Sequence, residues 1–235
     1  MRQHDAPTKQ STALLVAFEG IDGSGKGTQA RRLKDHLTEQ GHKTALISFP
    51  RYEETLFGQA VGEFLNGRFG ALDEVDPFLV SLLYAGDRFE SRGLLIAAMA
   101  ENDVVVLDRY VASNVAHQGA KRSGNDRREL IDRIRTIEYG LYRLPQPDVV
   151  LLLDLPVAEA QKLIAVKAAR SYTDRKADLQ EADAVYLNRV RDVYLSLAGD
   201  QPHWSRVDSL RDGRLRTVEE IGEEIIEKLT PLLKL

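Results

Sequence analysis

The stretch LLVAFEGIDGSGKGTQARRL, from Leu14 to Leu33, constrains the fold more than any other part of the chain. Leu14 to Phe18 is an apolar run suited to a strand. Gly20, Gly25 and Lys26 then fit the spacing G-x-x-x-x-G-K, and Ala30, Leu33 and Leu37 recur on one face of an amphipathic helix that Gly41 stops. A glycine-rich turn between a strand and a helix has a mechanism. Its backbone N–H groups turn inward around phosphate oxygens, the helix N-terminus adds partial positive charge, and the lysine reaches the outer phosphates. Gly20, Gly23, Ser24, Gly25, Lys26, Gly27 and Thr28 are therefore expected to hold the phosphates of ATP or a similar triphosphate. The residue after Lys26 is Gly27, where this motif ordinarily supplies a magnesium-binding Ser or Thr hydroxyl, and Thr28 comes one residue later. A metal must then lean on other oxygens. The carboxylate of Asp22, inside the loop, is the first candidate.

Four further apolar runs read as strands, at Lys43–Phe49, Val104–Asp108, Val149–Asp154 and Trp204–Val207, after a first at Ala13–Glu19. VVVLD and VVLLLDL are unbroken rather than alternating, as strands buried on both faces of a parallel sheet are. Long helical patterns fall at Pro77–Ala100, Arg127–Tyr142, Leu179–Leu197 and Val218–Leu232. Together these predict an α/β fold of the P-loop NTPase kind, with a five-stranded parallel sheet covered by helices on both faces. Ligands of such sheets collect beyond the carboxyl ends of the strands. Here those ends run into the phosphate loop, into FPRY (Phe49–Tyr52) and into LDRY (Leu107–Tyr110).

At 235 residues, one domain over 13–235 is expected, preceded by a disordered leader at 1–12 with no apolar segment of the secretory type. A net charge of −4 argues against binding duplex nucleic acid through a general basic surface. The absence of cysteine excludes disulfides and thiolate metal sites. No run approaches a membrane span, and a cytoplasmic protein is expected.

Several constellations lie near the expected ligand edge. Asp108, at the end of the third strand, has the place of a second carboxylate near magnesium, or of a plain cap at a strand–helix junction. Arg109 and Arg88 each follow an aspartate and suit phosphate oxygens as guanidinium forks, or else form surface ion pairs. Phe49-Pro50 forces extended backbone and projects Arg51 and Tyr52 into a loop, which alone is no more than a Pro-stopped strand. Lys167–Asp178 is polar, basic and aperiodic, and reads as a mobile loop or as solvated surface. Asp178 and Glu181 are spaced to share one helix face near a helix start, where acids also cap.

In order along the chain, FEGIDGSGKGTQ, FPRY, LLYAGDR, DRYVASNVAHQ, PDVVLLLDLP, DLQEADAVYLNRVRDVYLSLA and VDSLRDGRLRTVEEIGEEI resemble the thymidylate kinase family over about residues 13–232. GSGKGTQ alone would equally suit adenylate kinases, which carry Pro where this chain has Asp22. The resemblance implies transfer of the γ-phosphoryl of MgATP to dTMP, with Mg2+ as the metal, ATP as co-substrate and a homodimer as the assembly.

The resemblance also implies roles for individual residues. Asp22 would sit between the two nucleotides and, with Asp108 and Glu181, serve magnesium. Arg51, Arg88 and Arg109 would grip the dTMP phosphate, with Phe49 and Tyr52 beside it. Tyr84 would stack on thymine, and Ser113, Asn114, His117 and Gln118 would contact the base and its surroundings. Asp178 and Glu181 would lie near the sugar, the metal and these arginines. The basic loop, about 167–178, would be a lid supplying a transition-state cation, with Arg175 first and Arg170 and Lys176 as alternatives. Lys26, Asp22, Arg109 and Arg175 would thus carry the chemistry.

The family usually has Tyr where this chain has His117, beside the sugar, which opens the strictness of deoxyribose selection. Alternative acceptors are dUMP or UMP. A nucleotide-sensing switch is the alternative of a different class, although the chain lacks a guanine-reading N-K-x-D.

Overall fold

The computed structural model describes residues 13–71, 74–166, 183–199 and 201–233. The expected leader at 1–12, the lid loop, and the site candidates Arg170, Arg175, Lys176, Asp178 and Glu181 lie outside the described residues.

Strands β1 (Leu14–Glu19), β2 (Thr44–Ser48), β3 (Val104–Asp108), β4 (Val149–Asp154) and β5 (Trp204–Asp208) form one sheet in the order β2-β3-β1-β4-β5, parallel throughout. The unbroken apolar runs are explained by what lies on either side. On β1, Leu15 and Ala17 face one core while Val16 and Phe18 face the other, and β3 divides Val105 and Leu107 from Val104 and Val106 in the same way. With neither face wet, these strands are apolar up to their carboxyl ends, where Glu19 and Asp108 stand.

One face is covered by α1 (Lys26–Glu39), through Ala30, Leu33 and Leu37, and by a C-terminal helix, Val218–Leu229, through Ile221, Ile225 and Leu229. Between them along the chain come α2 (Leu56–Leu65), α3 (Pro77–Glu90), α4 (Arg92–Glu101), α5 (Val111–Gly119), α6 (Gly124–Arg135), α7 (Val157–Val166) and α8 (Ala184–Gly199), which makes the C-terminal helix α9. The second core lies under α5, α6 and α8, where Val115, Ile134, Leu187, Val190 and Tyr194 meet Leu107 and Leu152.

Three departures from the sequence expectation have local causes. The long pattern at Pro77–Ala100 breaks at Ser91 into α3 and α4. The pattern at Arg127–Tyr142 begins earlier, at Gly124, and ends in a π-helical turn, Thr136–Leu141, that carries Glu138 into the interior at 0% exposure. Helices α2, α5 and α7 were not separable from their surroundings by periodicity. Each is short, and in nine-residue α5 the polar face made by Ser113, Asn114, His117 and Gln118 is buried like the apolar one, so exposure does not mark it out.

Leu151, at the centre of β4, is fully buried against the α1–α9 side. Leu151→Ala is expected to cost about 2–5 kcal/mol. Urea denaturation should show this as a lowered midpoint with an unchanged slope.

Candidate active site

A cavity of about 870 Å³ opens at the carboxyl ends of β1, β2 and β3. Its floor is the phosphate loop. Gly20 has φ +139, and a Cβ there would lie 2.5 Å from the Leu153 carbonyl, so only glycine lets the loop leave β1 this close to β4. Gly20 is thus a backbone hinge and is not among the cavity-lining residues, whereas Asp22 to Thr28 all line it. Helix α1 starts at Lys26 with no side-chain cap and no acidic residue in its first turn. Its first N–H groups have no intrahelical partner, so the end of the helix keeps its partial positive charge for a ligand.

Lys26 is 5% exposed, and its Nζ donates to the Ile21 carbonyl (2.7 Å) and to Ser24 Oγ (3.4 Å). Burial, and then the neighbouring Arg109, lower its pKa to about 7. Beside it, a Cβ on Gly27 would lie 2.7 Å from Asp108 Oδ2. The carboxylate of Asp108 therefore lies against the first turn of α1, where a side chain at 27 would have to push it aside. Asp22 and Asp108 both line the cavity, and among the described residues no cluster of three or more His, Asp or Glu assembles a metal cage. Two carboxylates beside a phosphate site fit magnesium, which keeps waters and binds through one or two carboxylates plus substrate phosphates.

Arg109 stands opposite the loop. Its Nη2 pairs with Asp22, its Nη1 donates to Ser113 Oγ (3.2 Å), and its backbone has φ 68, unusual for a side chain of this size. That conformation is held from both sides. The Arg109 N–H donates to the Phe18 carbonyl (3.0 Å), and the next N–H, of Tyr110, donates to Glu19 Oε1 (2.9 Å). Glu19 is completely buried and also accepts from Ser113 N (3.1 Å), Ser113 Oγ (2.6 Å) and Tyr194 OH (3.0 Å). Burial pushes its pKa up, while the bonds from Ser113, Tyr194 and Tyr110 act the other way. The sequence reading missed Glu19. Its one signal is a carboxylate inside an otherwise buried strand, where charge is tolerated only with partners.

Helix α5 forms the far wall with Ser113, Asn114, His117 and Gln118, faced by Tyr84 and Arg88 of α3. Arg88 is 2% exposed and held by the π-turn: Nε and Nη2 donate to Glu138 Oε2 and Oε1 at 2.5 and 2.6 Å. Asn114 Nδ2 donates to the Ser81 carbonyl (3.0 Å) and to Glu138 Oε1 (2.8 Å). Both of those partners only accept, so the amide cannot be reversed, and Oδ1 is left as a buried acceptor with no partner among the described residues.

The expected clamp of three arginines is not brought together in this arrangement. Arg109 is at the phosphate loop, and Arg88 is bound edge-on by Glu138. Arg51 donates to Ser91 Oγ (3.2 Å) and is not a lining residue, although its neighbours Phe49, Pro50 and Tyr52 are. The Phe49–Pro50 peptide is cis. On the other side of the phosphate loop the cavity has a wall that the sequence did not reveal, made by Leu163, Ser209, Leu215, Arg216 and Val218. Ser209 is 2% exposed and its Oγ has no partner among the described residues.

The depressed pKa of Lys26 gives a measurable consequence. Phosphate oxygens beside its Nζ will raise that pKa, so a lysine largely neutral at pH 8 in the free protein becomes charged in the complex. Binding of ATP at pH 8 is expected to take up to about one proton. Calorimetric titrations in buffers of different ionisation enthalpy measure this directly, and heats independent of buffer between pH 7 and 9 would refute it.

Comparison with known proteins gives the family and the fold. The family model described as "Thymidylate kinase" matches residues 18–221. The thymidylate kinase of Geobacter sulfurreducens is 32% identical over 220 residues, 92% of this chain and 97% of that protein. That of Mycobacterium tuberculosis is 32% identical over 185 residues, 79% of this chain and 86% of its own. The structure of thymidylate kinase from Candida albicans, at 24% identity, superposes with a TM-score of 0.74 and covers 94% of this chain and 92% of its own, which supports the fold. The chain belongs to the thymidylate kinase family.

Proposed function

We propose that the protein transfers the γ-phosphoryl group of ATP to the 5′-phosphate of dTMP, giving ADP and dTDP. The observation that carries this is one continuous cavity in which an uncapped helix N-terminus with Lys26 lies at the floor and a wall of fixed hydrogen-bonding groups lies beyond Arg109. A triphosphate alone uses only the first of these. Its volume of about 870 Å³ is in the upper part of the range for ligand pockets, enough to bring two nucleotides together.

The far wall favours an imide-bearing base. Asn114 Oδ1 can only accept, and Arg88, with Nε and Nη2 committed to Glu138, keeps Nη1 as a donor. An acceptor beside a donor matches the N–H and adjacent carbonyl of thymine, while cytosine presents the opposite pattern. We therefore place Arg88 at the base and leave the acceptor phosphate to Arg109 and, after a side-chain rotation, Arg51. Tyr84 supplies the stacking face. The donor's base lies against Leu163, Ser209, Leu215 and Arg216.

In the transfer, an anionic oxygen of the dTMP phosphate attacks the γ-phosphorus as the bond to the β-phosphate oxygen breaks. The nucleophile is already charged, so no base and no covalent enzyme intermediate are required, and catalysis rests on positioning and charge neutralisation. Lys26 and the α1 amides hold the outer phosphates, and Arg109 exchanges its contact with Asp22 for phosphate oxygens, which frees that carboxylate. Asp22 and Asp108 are the groups that would hold magnesium, which when bound neutralises phosphate charge. Arg175, Arg170 and Lys176 remain our candidates for a cation closing from the lid, and Asp178 and Glu181 for contacts beside the sugar and the metal.

No helix among the described residues is long and apolar enough to cross a membrane. We place the enzyme in the cytoplasm, as a homodimer. Leu79, Phe89, Leu94 and Ile96 on α3 and α4 are 57, 52, 46 and 42% exposed, an apolar surface of the kind that a second copy covers.

Two measurements test this reading. In a coupled ADP-release assay with MgATP, dTMP should be turned over with a kcat/KM at least about a hundredfold above that for dCMP, because cytosine leaves both wall groups unpaired. ADP release that is equally fast without any acceptor would favour a nucleotide switch instead. Sedimentation should show a dimer that the double substitution Leu79→Glu, Phe89→Glu converts to monomer, and a wild-type monomer at micromolar concentration would remove the assembly from the proposal.

A further inference from the structure

His117 is the pocket residue whose chemistry the structure fixes most tightly. It lies on α5, lines the cavity and is 6% exposed. Tyr186, on α8, meets it twice. The Tyr186 hydroxyl donates to the His117 backbone carbonyl at 3.0 Å, and it lies 3.1 Å from His117 Nδ1. A phenol has one proton. Since a carbonyl can only accept, that proton is spent there, and the contact with Nδ1 is made only if Nδ1 carries the hydrogen and the phenol oxygen accepts. The neutral ring then has a bare lone pair on Nε2, on the edge away from Tyr186. Nε2 is buried and has no partner among the described residues. Burial lowers the imidazole pKa to about 3, so Nε2 does not acquire a proton under ordinary conditions. A side chain that in general can donate or accept is here confined to accepting.

Its place in the cavity says what it meets. The charges acting on the ring are those of Asp22, Arg109, Lys26 and Lys121, so it lies within electrostatic reach of the phosphate-handling groups. One turn back on the same helix is Asn114, whose acceptor faces the base in the reading above. A nucleoside monophosphate spanning from Arg109 to Asn114 passes its sugar beside His117, and the only donors on a sugar are hydroxyls.

Resting on the thymidylate kinase reading, we propose that Nε2 of His117 is a fixed hydrogen-bond acceptor for a sugar hydroxyl of the acceptor nucleotide, so that sugar preference in this enzyme is set by a required donor. The free protein already carries the desolvation of this nitrogen, so the bond is stronger than one made in exchange for water. A nucleotide without that hydroxyl leaves the acceptor unpaired.

Three acceptors with the same base separate the possibilities: dTMP, which has only the 3′-hydroxyl; 2′,3′-dideoxythymidine monophosphate, which has neither; and ribothymidine 5′-monophosphate, which has both. With wild-type enzyme, adding the hydroxyl that His117 reads should raise kcat/KM about tenfold. In His117→Phe, which keeps a ring but removes the acceptor, that ratio should fall to about one or below, as a double-substitution cycle requires. Collapse of the dTMP/dideoxy ratio identifies the 3′-hydroxyl, and collapse of the ribo/dTMP ratio identifies the 2′-hydroxyl. Ring ¹⁵N resonances of wild-type His117 give a readout that needs neither turnover nor a folded variant. They should show protonated Nδ1 and bare Nε2 in the free protein, and Nε2 should shift on addition of the nucleotide that carries the hydroxyl so identified, dTMP for the 3′ and ribothymidine 5′-monophosphate for the 2′. Both ratios unchanged in a folded His117→Phe, a protonated Nε2 in the free protein, or an Nε2 signal indifferent to both dTMP and ribothymidine 5′-monophosphate would each overturn the proposal and leave dTMP kinase activity standing. Failure of wild-type enzyme to phosphorylate dTMP would instead overturn the reading beneath it, and this inference with it.

Discussion

Four donors converge on one carboxylate at the end of the central strand, and the geometry of the site depends on that convergence. Glu19 belongs to β1, which carries the phosphate loop, while its partners come from the start of α5 and from Tyr194 on α8. A charge with 0% exposure is sustained only when fully bonded, so the three elements cannot drift apart without leaving it unsatisfied. Arg109, with its left-handed backbone, sits between the two ties that join β3 to β1, at the Phe18 carbonyl and at the Glu19 carboxylate. The cation facing the phosphate loop is therefore placed by the same interaction that attaches the loop to the fold.

A second constraint concerns space beside Lys26. A Cβ at 27 would come within 2.7 Å of Asp108 Oδ2, so a side chain there would have to turn the carboxylate aside. Glycine at 27 leaves that carboxylate undisturbed against the first turn of α1. With no hydroxyl at 27, the side-chain oxygen nearest this turn comes from the end of the neighbouring strand β3.

How much of this was readable from the chain follows from which signals are local. The sheet was, because Val104–Asp108 and Val149–Asp154 are apolar on both faces and lead to the cavity at Asp108 and Leu155. So was the phosphate loop, whose glycines, strand and helix are contiguous. The partners of Arg88 and Glu19 were not. Glu138 lies 50 residues from Arg88, on a turn that periodicity assigned to an ordinary helix, and Tyr194 lies 175 residues from Glu19. Asp-Arg pairs suggested phosphate clamps, but DR specifies only an adjacency. Whether the guanidinium meets a phosphate or a buried glutamate is settled by what packs opposite it. Short α5, buried all round, spans too few residues for its polar face, Ser113, Asn114, His117 and Gln118, to separate it from its surroundings, although these four side chains line the pocket.

Those side chains also show how a buried wall can be ordered and incomplete at once. Ser113 is bonded, while the other three carry buried atoms with no partner among the described residues: Asn114 Oδ1, His117 Nε2 and both amide atoms of Gln118. A buried polar atom left unpaired costs about 1–3 kcal/mol, so several together are a substantial penalty for a domain of marginal stability. The fold sustains it because the bonded edges, to Glu138, Ser81 and Tyr186, fix the orientation of the others. A ligand that supplies the missing partners meets groups already desolvated and already aimed, and gains from both. A ligand with the wrong pattern relieves nothing, and discrimination on this wall comes from that difference rather than from the shape of the cavity alone.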